Sequence, residues 1–383
     1  MPAENPFVYG EIVPSAAFVD RETELERLTT DLADGQKVFL ISPRRYGKSS
    51  LVRQALAALG RRRIATVEVT VSSFSSYVAF LEGYARALVT LESHTGRARS
   101  WLQDLFTGVK PEIRLEADRA GAGLTVAFPA VRTARDAARL AEEVFALPGR
   151  IAAHLGRRVV VALDEFQGIT AFNGGSVEQA LRAAVQRQRQ VGYVFAGSEP
   201  SLMDQMIGPK RPFYKAGPVM RLQKIPADVF ATFVQDRFRQ TGLSPAPGLG
   251  TAIVDLAGNL PYDVQRLAHE TWDDAATTRR RRVSLDDLHA TLHRLLAEQD
   301  TICEAEWQRL TLAQRAVLRA VVLQQGVELL SADTRERHRL GAASSVQAAL
   351  TALQREDLVT RDDAGRYLVV DSLMREWIAR KTH

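Results

Sequence analysis

The sequence has little cysteine and no long uninterrupted apolar run. Its 383 residues include one cysteine, Cys303, so neither a disulfide framework nor a thiolate metal site can form within one chain. No uncharged apolar stretch approaches the roughly 20 residues that a membrane-spanning helix needs. The first residues also lack the charged and then apolar segments of a secretory signal. We therefore expect a cytoplasmic protein that has no membrane partner.

Lysine is also scarce, because only 7 of the 50 basic residues are lysine and the other 43 are arginine. The net charge is +5, and 45 acidic residues are interleaved with the basic ones. This mild excess of positive charge permits contact with nucleic acid but does not argue for it. The balance of 46% hydrophobic and 25% charged residues is typical of a globular protein, and the length predicts two or three compact units.

Strand-like and helix-like segments alternate through the first part of the chain. Short apolar runs predict buried strands, and apolar residues three and four positions apart predict helices. The predicted strands are 36–42, 64–71, 159–163, 191–196 and 219–223. The predicted helices are 48–59, 75–94, 98–107, 134–156, 176–189 and 226–241. This alternation predicts an α/β fold with a parallel sheet.

A change of pattern divides the rest of the chain. Residues 112–116 and 124–128 alternate with a period of two, which predicts a β-hairpin inserted near 111–129. A stretch rich in proline and glycine, 242–250, reads as a linker, and 251–299 is helical throughout. Three helices and two short strands follow, in the order of a winged helix: 304–324, 331–339, 343–355 and a wing over 358–370. The predicted domains are therefore 1–245, 246–300 and 301–383.

A phosphate-binding loop lies between the first predicted strand and the helix that follows it. The loop reads Ser42-Pro43-Arg44-Arg45-Tyr46-Gly47-Lys48-Ser49, close to the pattern G-x-x-x-x-G-K-[ST]. Ser42 stands where the pattern has its first glycine, but Pro43 biases Ser42 toward an extended conformation that the end of a strand accepts. Backbone N–H groups of such a loop bind phosphate oxygens. We expect Lys48 to contact the β- and γ-phosphates of ATP and Ser49 to ligate Mg²⁺.

Two carboxylates, Asp164 and Glu165, follow the apolar strand 159–163. In an open parallel sheet this end of the strand faces the crevice where ligands bind. Asp164 is therefore predicted to hold Mg²⁺, and Glu165 to polarise the attacking water. The alternative is a pair of acids at the start of a helix, which is common. Because the loop and the acidic strand end occur in the right order, we predict Mg²⁺-dependent binding and hydrolysis of ATP.

These motifs resemble those of the archaeal-type ATPases, AAA+-related proteins placed near the STAND NTPases. The similar segments are Arg44–Leu51, the opening box Asn5–Phe7 with Phe18–Glu24, the acidic strand Leu163–Gln167, the strand end Ala196–Ser198 and the motif Gly258–Tyr262. The resemblance implies an ATPase with strand order 5-1-4-3-2, a helical lid over 246–300 and a C-terminal winged helix. It also implies that the N-terminal segment helps to build the adenine pocket. This sequence departs from the family at Ser42 and at Leu260, which is inserted before Pro261.

The resemblance also assigns residues. It makes Phe7, Phe18 and Arg21 contacts to the base or its surroundings, although the two phenylalanines could equally be core residues. Ser198 becomes a sensor of the γ-phosphate or, alternatively, a turn residue. Arg266 becomes a second sensor or an exposed helix arginine, and Arg211 or Lys215 an arginine finger or an exposed basic loop. The residues predicted to bind the nucleotide are Ser42, Pro43, Arg44, Arg45, Tyr46, Gly47, Lys48, Ser49, Ser50, Phe7, Phe18, Arg21 and Arg266, with Glu165, Lys48 and Ser198 in catalysis.

The output of such an ATPase is left open between two functions. One is a nucleotide-driven switch, slow or partner-stimulated, whose winged helix signals to a protein partner or a second protomer. The other is an ATPase that binds duplex DNA through the winged helix and the basic run Arg279–Arg282. The predicted third helix of the winged helix exposes Ser345, Gln347, Ala348, Thr351 and Gln354, with no basic residue before Arg355. A DNA reader normally carries a basic stripe there, so contact with protein is at least as well supported.

Overall fold

The chain folds into two compact units. A computed structural model describes residues 4–10, 18–92, 105–106, 111–118, 121–129, 131–172, 175–278, 280–362 and 365–381. Arg21–Gln223 form one unit, here called the sheet unit, and Met1–Asp20 with Lys224–His383 form the other, here called the helical unit. Most of the helix predicted at 98–107, and Arg279 of the basic run, lie outside the described residues.

A five-stranded parallel sheet forms the centre of the sheet unit. The strands are β1 (Lys37–Ile41), β2 (Ala65–Thr70), the hairpin strands β3 (Glu112–Asp118) and β4 (Gly121–Ala127), β5 (Val159–Asp164), β6 (Val191–Gly197) and β7 (Val219–Arg221). The sheet order is β2-β5-β6-β1-β7, with β3 and β4 paired separately. Numbering only the five parallel strands, this order is 5-1-4-3-2. The predicted α/β class and strand order are confirmed.

Helices cover the sheet because its central strands are apolar on both faces. These helices are α1 (Glu22–Ala33), α2 (Lys48–Arg61), α3 (Tyr77–Val89), α4 (Ala134–Leu155), α5 (Gly175–Arg187) and α6 (Pro200–Ile207). Every residue of β5 and β6 is buried, as expected of a parallel sheet that helices sandwich. The short helix α6 follows β6 directly, and the sequence patterns did not predict it.

The helical unit runs from the predicted lid through the winged helix. Its elements are α7 (Ala227–Gln240), β8 (Ser244–Pro245), α8 (Leu249–Leu256), α9 (Pro261–Thr277), β9 (Arg282–Val283), α10 (Leu285–Arg309), α11 (Leu312–Leu323), α12 (Ala332–Arg337), α13 (Ala343–Arg355), β10 (Val359–Arg361), β11 (Tyr367–Val369) and α14 (Ser372–Lys381). The antiparallel pair β10–β11 forms the wing. The predicted C-terminal winged helix is confirmed.

One long helix joins the two predicted C-terminal domains. The predicted boundary at residue 300 falls inside α10, which has 25 residues. The predicted helix 304–324 is wrong, because the backbone at Leu310 is extended and Thr311 starts α11 with a capping box. A single hydrophobic core extends from the lid helices to α14. The lid and the winged helix therefore share one core.

The helix α7 also belongs to the helical unit, although the predicted boundary near residue 245 assigned it to the α/β domain. Phe230, Val234 and Phe238 of α7 are buried in the helical unit's core. At Gly250 an added Cβ atom would lie 2.2 Å from the carbonyl oxygen of Ala231, so α7 and α8 pack backbone to backbone. Among the described residues, no helix is long and apolar enough to cross a membrane.

The turn after α11 gives a stability prediction. Gly326 has φ +74°, and a Cβ there would lie 1.8 Å from the carbonyl oxygen of Tyr367 in the wing. Gly242 has a similar φ of +83° but open space around it. We expect Gly326→Ala to lower the free energy of unfolding by about 1–3 kcal/mol more than Gly242→Ala, since only the first adds overpacking to backbone strain. Urea unfolding of both variants measures this difference, and equal losses would contradict the packing described for the wing.

Candidate nucleotide-binding site

The phosphate loop begins at Ser42, directly after β1, and Ser42 does not have a positive φ. The Ser42 N–H donates to the carbonyl oxygen of Gly197 at 3.2 Å, and the side chain is buried with 1% of its surface exposed. The left-handed residues of the loop are Arg45, at φ 70°, and Gly47, at φ 85°. Because Ser42 does not need a positive φ, a serine fits where the general pattern has glycine.

The N-terminus of α2 faces the loop without a side-chain cap. Gly47 is the N-cap residue, and the first turn contains no acidic side chain. The first N–H groups of a helix have no partner within the helix, and with the helix dipole they form a site for anions. The loop and the start of α2 therefore fit the phosphate groups of a nucleotide.

Lys48 and Ser49 meet Asp164 at the carboxyl edge of the sheet. The Lys48 ammonium forms an ion pair with Oδ1 of Asp164, and both side chains are buried. The Ser49 hydroxyl donates to Oδ2 of the same carboxylate at 3.0 Å. A hydroxyl beside a carboxylate is a donor set that Mg²⁺ accepts, together with water and phosphate oxygens. Among the described residues, no group of three or more His, Cys, Asp or Glu side chains is arranged so that it could hold a metal ion.

Glu165 lies one residue beyond β5 in a left-handed conformation, at φ 49°. Its Oε2 accepts hydrogen bonds from the Ser198 hydroxyl and from Nε2 of Gln167, each at 2.5 Å. Its Oε1 lies 3.5 Å from Nζ of Lys48. The structure thus brings together the predicted residues Lys48, Ser49, Asp164, Glu165 and Ser198. Gln167 belongs to the acidic strand motif Leu163–Gln167, but its sequence position did not predict a role for it.

The chain is similar to one domain family and to several solved structures. Residues 302–380 match the family described as "Probable winged helix domain". The Walker-type ATPase PABY2304 of Pyrococcus abyssi is 16% identical, with 96% of this chain and 99% of that chain covered and a TM-score of 0.62. The ORC2 protein of Aeropyrum pernix in its ADPNP-ADP complexes is 12% identical, with 99% of this chain and 98% of that chain covered and a TM-score of 0.56. The A. pernix ORC1 protein in complex with DNA is 14% identical, with 97% of this chain and 96% of that chain covered and a TM-score of 0.53. No curated protein matches the chain in sequence.

The chain has an AAA+-like α/β fold, similar to that of the P. abyssi Walker-type ATPase. A helical lid and a C-terminal winged helix follow the sheet unit along the chain. At these identities the likeness establishes the fold alone. The role of the protein does not follow from the fold alone.

The predicted contacts to the base are distributed over both units. Phe7 is 2% exposed and packs on Phe238 at 5.0 Å between ring centroids, in the core of the helical unit. This is the core packing that the sequence left as the alternative, and a role for Phe7 at the base stays a prediction. Phe18 is partly buried. Arg21, in the sheet unit, is bonded to the carbonyl oxygen of Gln223 and to Glu24 at 2.8 Å. Roles for Phe18 and Arg21 at the nucleotide stay predictions.

The N-terminal segment lies along α9 in the helical unit. Asn5 donates to Asp273 at 2.8 Å, and the N–H of Val8 donates to Gln265 at 3.2 Å. The Tyr9 hydroxyl donates to Glu270 at 2.6 Å, and this bond, with burial, raises the pKa of Tyr9 to about 12. Arg266 lies on the same helix, with a buried Nε atom that has no hydrogen-bond partner among the described residues. Its sensor role also stays a prediction.

Arg211, one of the two finger candidates, pairs within its own chain. Its guanidinium lies 2.8 Å from Oε1 of Glu178, whose side chain is 1% exposed. Burial raises the pKa of Glu178, and the charge of Arg211 opposes that rise. Lys215 lies over the ring of Tyr214 at 5.3 Å. Neither contact supports a finger, and the role stays untested.

The Arg211–Glu178 pair predicts a pH-dependent loss of stability. Burial makes the folded pKa of Glu178 higher than its unfolded pKa, so stability falls as pH rises through the folded value. Without Arg211 this pKa rises further. We expect Arg211→Ala to cost about 1–3 kcal/mol at pH 7 and less at lower pH, because a raised pKa favours protonation of Glu178 as the pH falls. Thermal unfolding at neutral and at lower pH tests this, and Glu178→Gln should restore the stability of Arg211→Ala. A loss that does not change with pH would contradict the buried pair.

Proposed function

We propose that this protein binds Mg-ATP on the loop 42–49 and hydrolyses it to ADP and phosphate. One observation supports this most: the side chains of Lys48, Ser49, Asp164 and Glu165 converge at the edge where β1 and β5 end. The N-terminus of α2 provides the anion site next to them. In this proposal Asp164 and Ser49 hold Mg²⁺, and Lys48 exchanges its bond to Asp164 for bonds to phosphate oxygens.

Each residue of the site has a distinct chemical task in this proposal. Mg²⁺, when bound, neutralises phosphate charge and acts as a Lewis acid. The Lys48 ammonium stabilises negative charge that develops on the β- and γ-phosphates. Glu165 orients the attacking water and accepts its proton. Ser198, which donates a hydrogen bond to Glu165, would sense the γ-phosphate.

We further propose that the protein works as a nucleotide-driven switch. The supporting observation is that lid and winged helix share one hydrophobic core and the continuous helix α10. Asp300 of α10 accepts a hydrogen bond from the indole of Trp377 in α14 at 2.7 Å, and the Trp307 and Trp377 rings contact edge to face at 6.0 Å. A lid movement that depends on nucleotide would therefore carry the winged helix with it. A protein partner or a second protomer would read that movement.

Binding to duplex DNA is the second candidate function. The A. pernix ORC1 protein with the same fold was solved with DNA. In this chain α13 exposes Ser345, Gln347 and Thr351. Arg337 at the end of α12 and Arg339 in the turn after it are also exposed and could contact phosphates. Against this, Arg280 of the basic run is paired with Asp287. The switch proposal is therefore the better supported.

Substitutions of Lys48 and Glu165 separate binding from hydrolysis. We expect Lys48→Ala to weaken ATP binding about 100-fold or more, because two charge-assisted contacts are lost, whereas the exposed Lys210→Ala has no effect. We expect Glu165→Gln to bind ATP within a few-fold of wild type but to lower kcat about 100- to 10,000-fold. Calorimetric titration and phosphate release measure these values, and thermal unfolding checks that Lys48→Ala is folded. Wild-type ATP affinity in Lys48→Ala would overturn the phosphate-loop assignment.

The dependence of DNA binding on salt concentration distinguishes the switch function from the DNA-binding function. The switch proposal predicts no ATP-dependent shift of duplex DNA above about 100 mM salt, since a typical DNA site depends on several phosphate contacts. A gel-shift assay from 50 to 200 mM salt with ATP, ADP and no nucleotide measures this. Steeply salt-dependent binding that needs ATP and is lost in Arg337→Gln with Arg339→Gln would instead support the DNA-binding function.

A further inference from the structure

The Gln167 side chain contacts three polar groups of the candidate site, and no role has yet been given to it. Its side chain is buried, 6% exposed, on the short 3-10 helix Phe166–Ala171. Its Nε2 lies 2.5 Å from Oε2 of Glu165, 3.3 Å from Oγ of Ser198 and 3.4 Å from Oε1 of Glu199. Because the Ser198 hydroxyl also donates to Oε2, Gln167 and Ser198 together hold one oxygen of Glu165.

The charges around the carboxamide determine its orientation. Two of the three groups facing Nε2 belong to carboxylates, Glu165 and Glu199, which only accept hydrogen bonds when ionised. The reversed amide would place its oxygen against them. In the observed orientation Oε1 of Gln167 is buried and has no hydrogen-bond partner among the described residues, which costs about 1–3 kcal/mol. Gly197 leaves the room for this oxygen, because a Cβ there would lie 2.9 Å from it. A buried amide kept at this cost calls for a functional explanation.

The two oxygens of Glu165 are therefore not equivalent. Oε2 accepts two hydrogen bonds of 2.5 Å, from Ser198 and Gln167. Among the described residues, Oε1 has only the longer contact, 3.5 Å, to Nζ of Lys48. Lys48 is the residue that the proposed function assigns to the phosphates. The left-handed backbone of Glu165, a conformation that costs a non-glycine residue energy, further restricts where the carboxylate can point.

We infer that Gln167 is a positioning residue for hydrolysis, which with Ser198 holds Oε2 so that Oε1 is the oxygen that accepts the proton of the attacking water. This inference rests on the proposed function. In the step, the water oxygen bonds to the γ-phosphorus, the water proton passes to Oε1, and ADP leaves with the electron pair of the broken P–O bond. The opposite role is inhibitory: Gln167 would hold Glu165 in an inactive orientation. That role predicts a higher kcat when the Gln167 side chain is removed.

Turnover and ATP binding of the full chain separate these roles. We expect Gln167→Ala to lower kcat about 10- to 100-fold and to leave the dissociation constant of ATP within about threefold. Gln188→Ala is the matched control, because Gln188 is also a buried glutamine of the sheet unit, bonded to the carbonyl oxygen of Phe145 at 2.7 Å. We expect it to lower Tm but to keep wild-type kcat. Wild-type or raised kcat in Gln167→Ala overturns the inference.

The pH dependence of kcat in the variant Gln167→Glu adds a second test, because a purely structural role of Gln167 would not change it. A protonated carboxyl group can donate to Oε2 as the amide does, whereas an ionised one repels Glu165. We expect its kcat relative to wild type to be highest near pH 5.5 and to fall at least about tenfold by pH 8. If kcat of Gln167→Glu and kcat of wild type change with pH in the same way, the inference is wrong. If Glu165→Gln is inactive while Gln167→Ala is fully active, only this inference fails; if Glu165→Gln is fully active, the proposed role of Glu165 fails with it.

Discussion

The buried ion pair between Lys48 and Asp164 is the interaction on which the site depends. The two residues are 116 positions apart in the sequence and meet because β1 and β5 both lie next to β6 in the sheet. Each charge is desolvated, so removal of one partner would leave the other buried and unpaired at a cost of about 3–5 kcal/mol. A pair under this constraint is stable only while both charges are matched. A bound phosphate and metal ion would match the two charges separately, so nucleotide binding would change this ion pair.

The second constraint is the continuity of the helical unit. The helix α10 begins at the capping box of Ser284 and Asp287 and runs to Arg309, past the point where a domain boundary was expected. Buried side chains from α7 to α14 belong to one core. Separating the lid from the winged helix would expose that core to water, at about 25 cal/mol for each Å² of apolar surface. The physical link between the lid and the winged helix in the proposed switch is therefore packing rather than a flexible linker.

The surroundings of Glu165 show how neighbouring residues would divide one function. In the proposed mechanism Glu165 supplies the base, whereas Ser198 after β6 and Gln167 on the next turn hold its Oε2 atom. Ser198 would then act on the carboxylate that polarises water as well as on the γ-phosphate. A hydrogen-bonded network of this kind responds as a unit, because the loss of one donor changes the charge and geometry that the others see.

Local patterns in the sequence were sufficient for much of this protein. The apolar strands, the loop 42–49, the acids at 164–165 and the winged-helix order are recognisable because each depends on neighbouring residues and on a period that the sequence displays. Other features depended on contacts between distant residues. Only tertiary structure decided that Phe7 packs on Phe238, that Arg211 pairs with Glu178, that α10 crosses the expected boundary and that Gln167 holds Glu165. Burial and pairing of such side chains are set by which strands and helices become neighbours, and no local period records that.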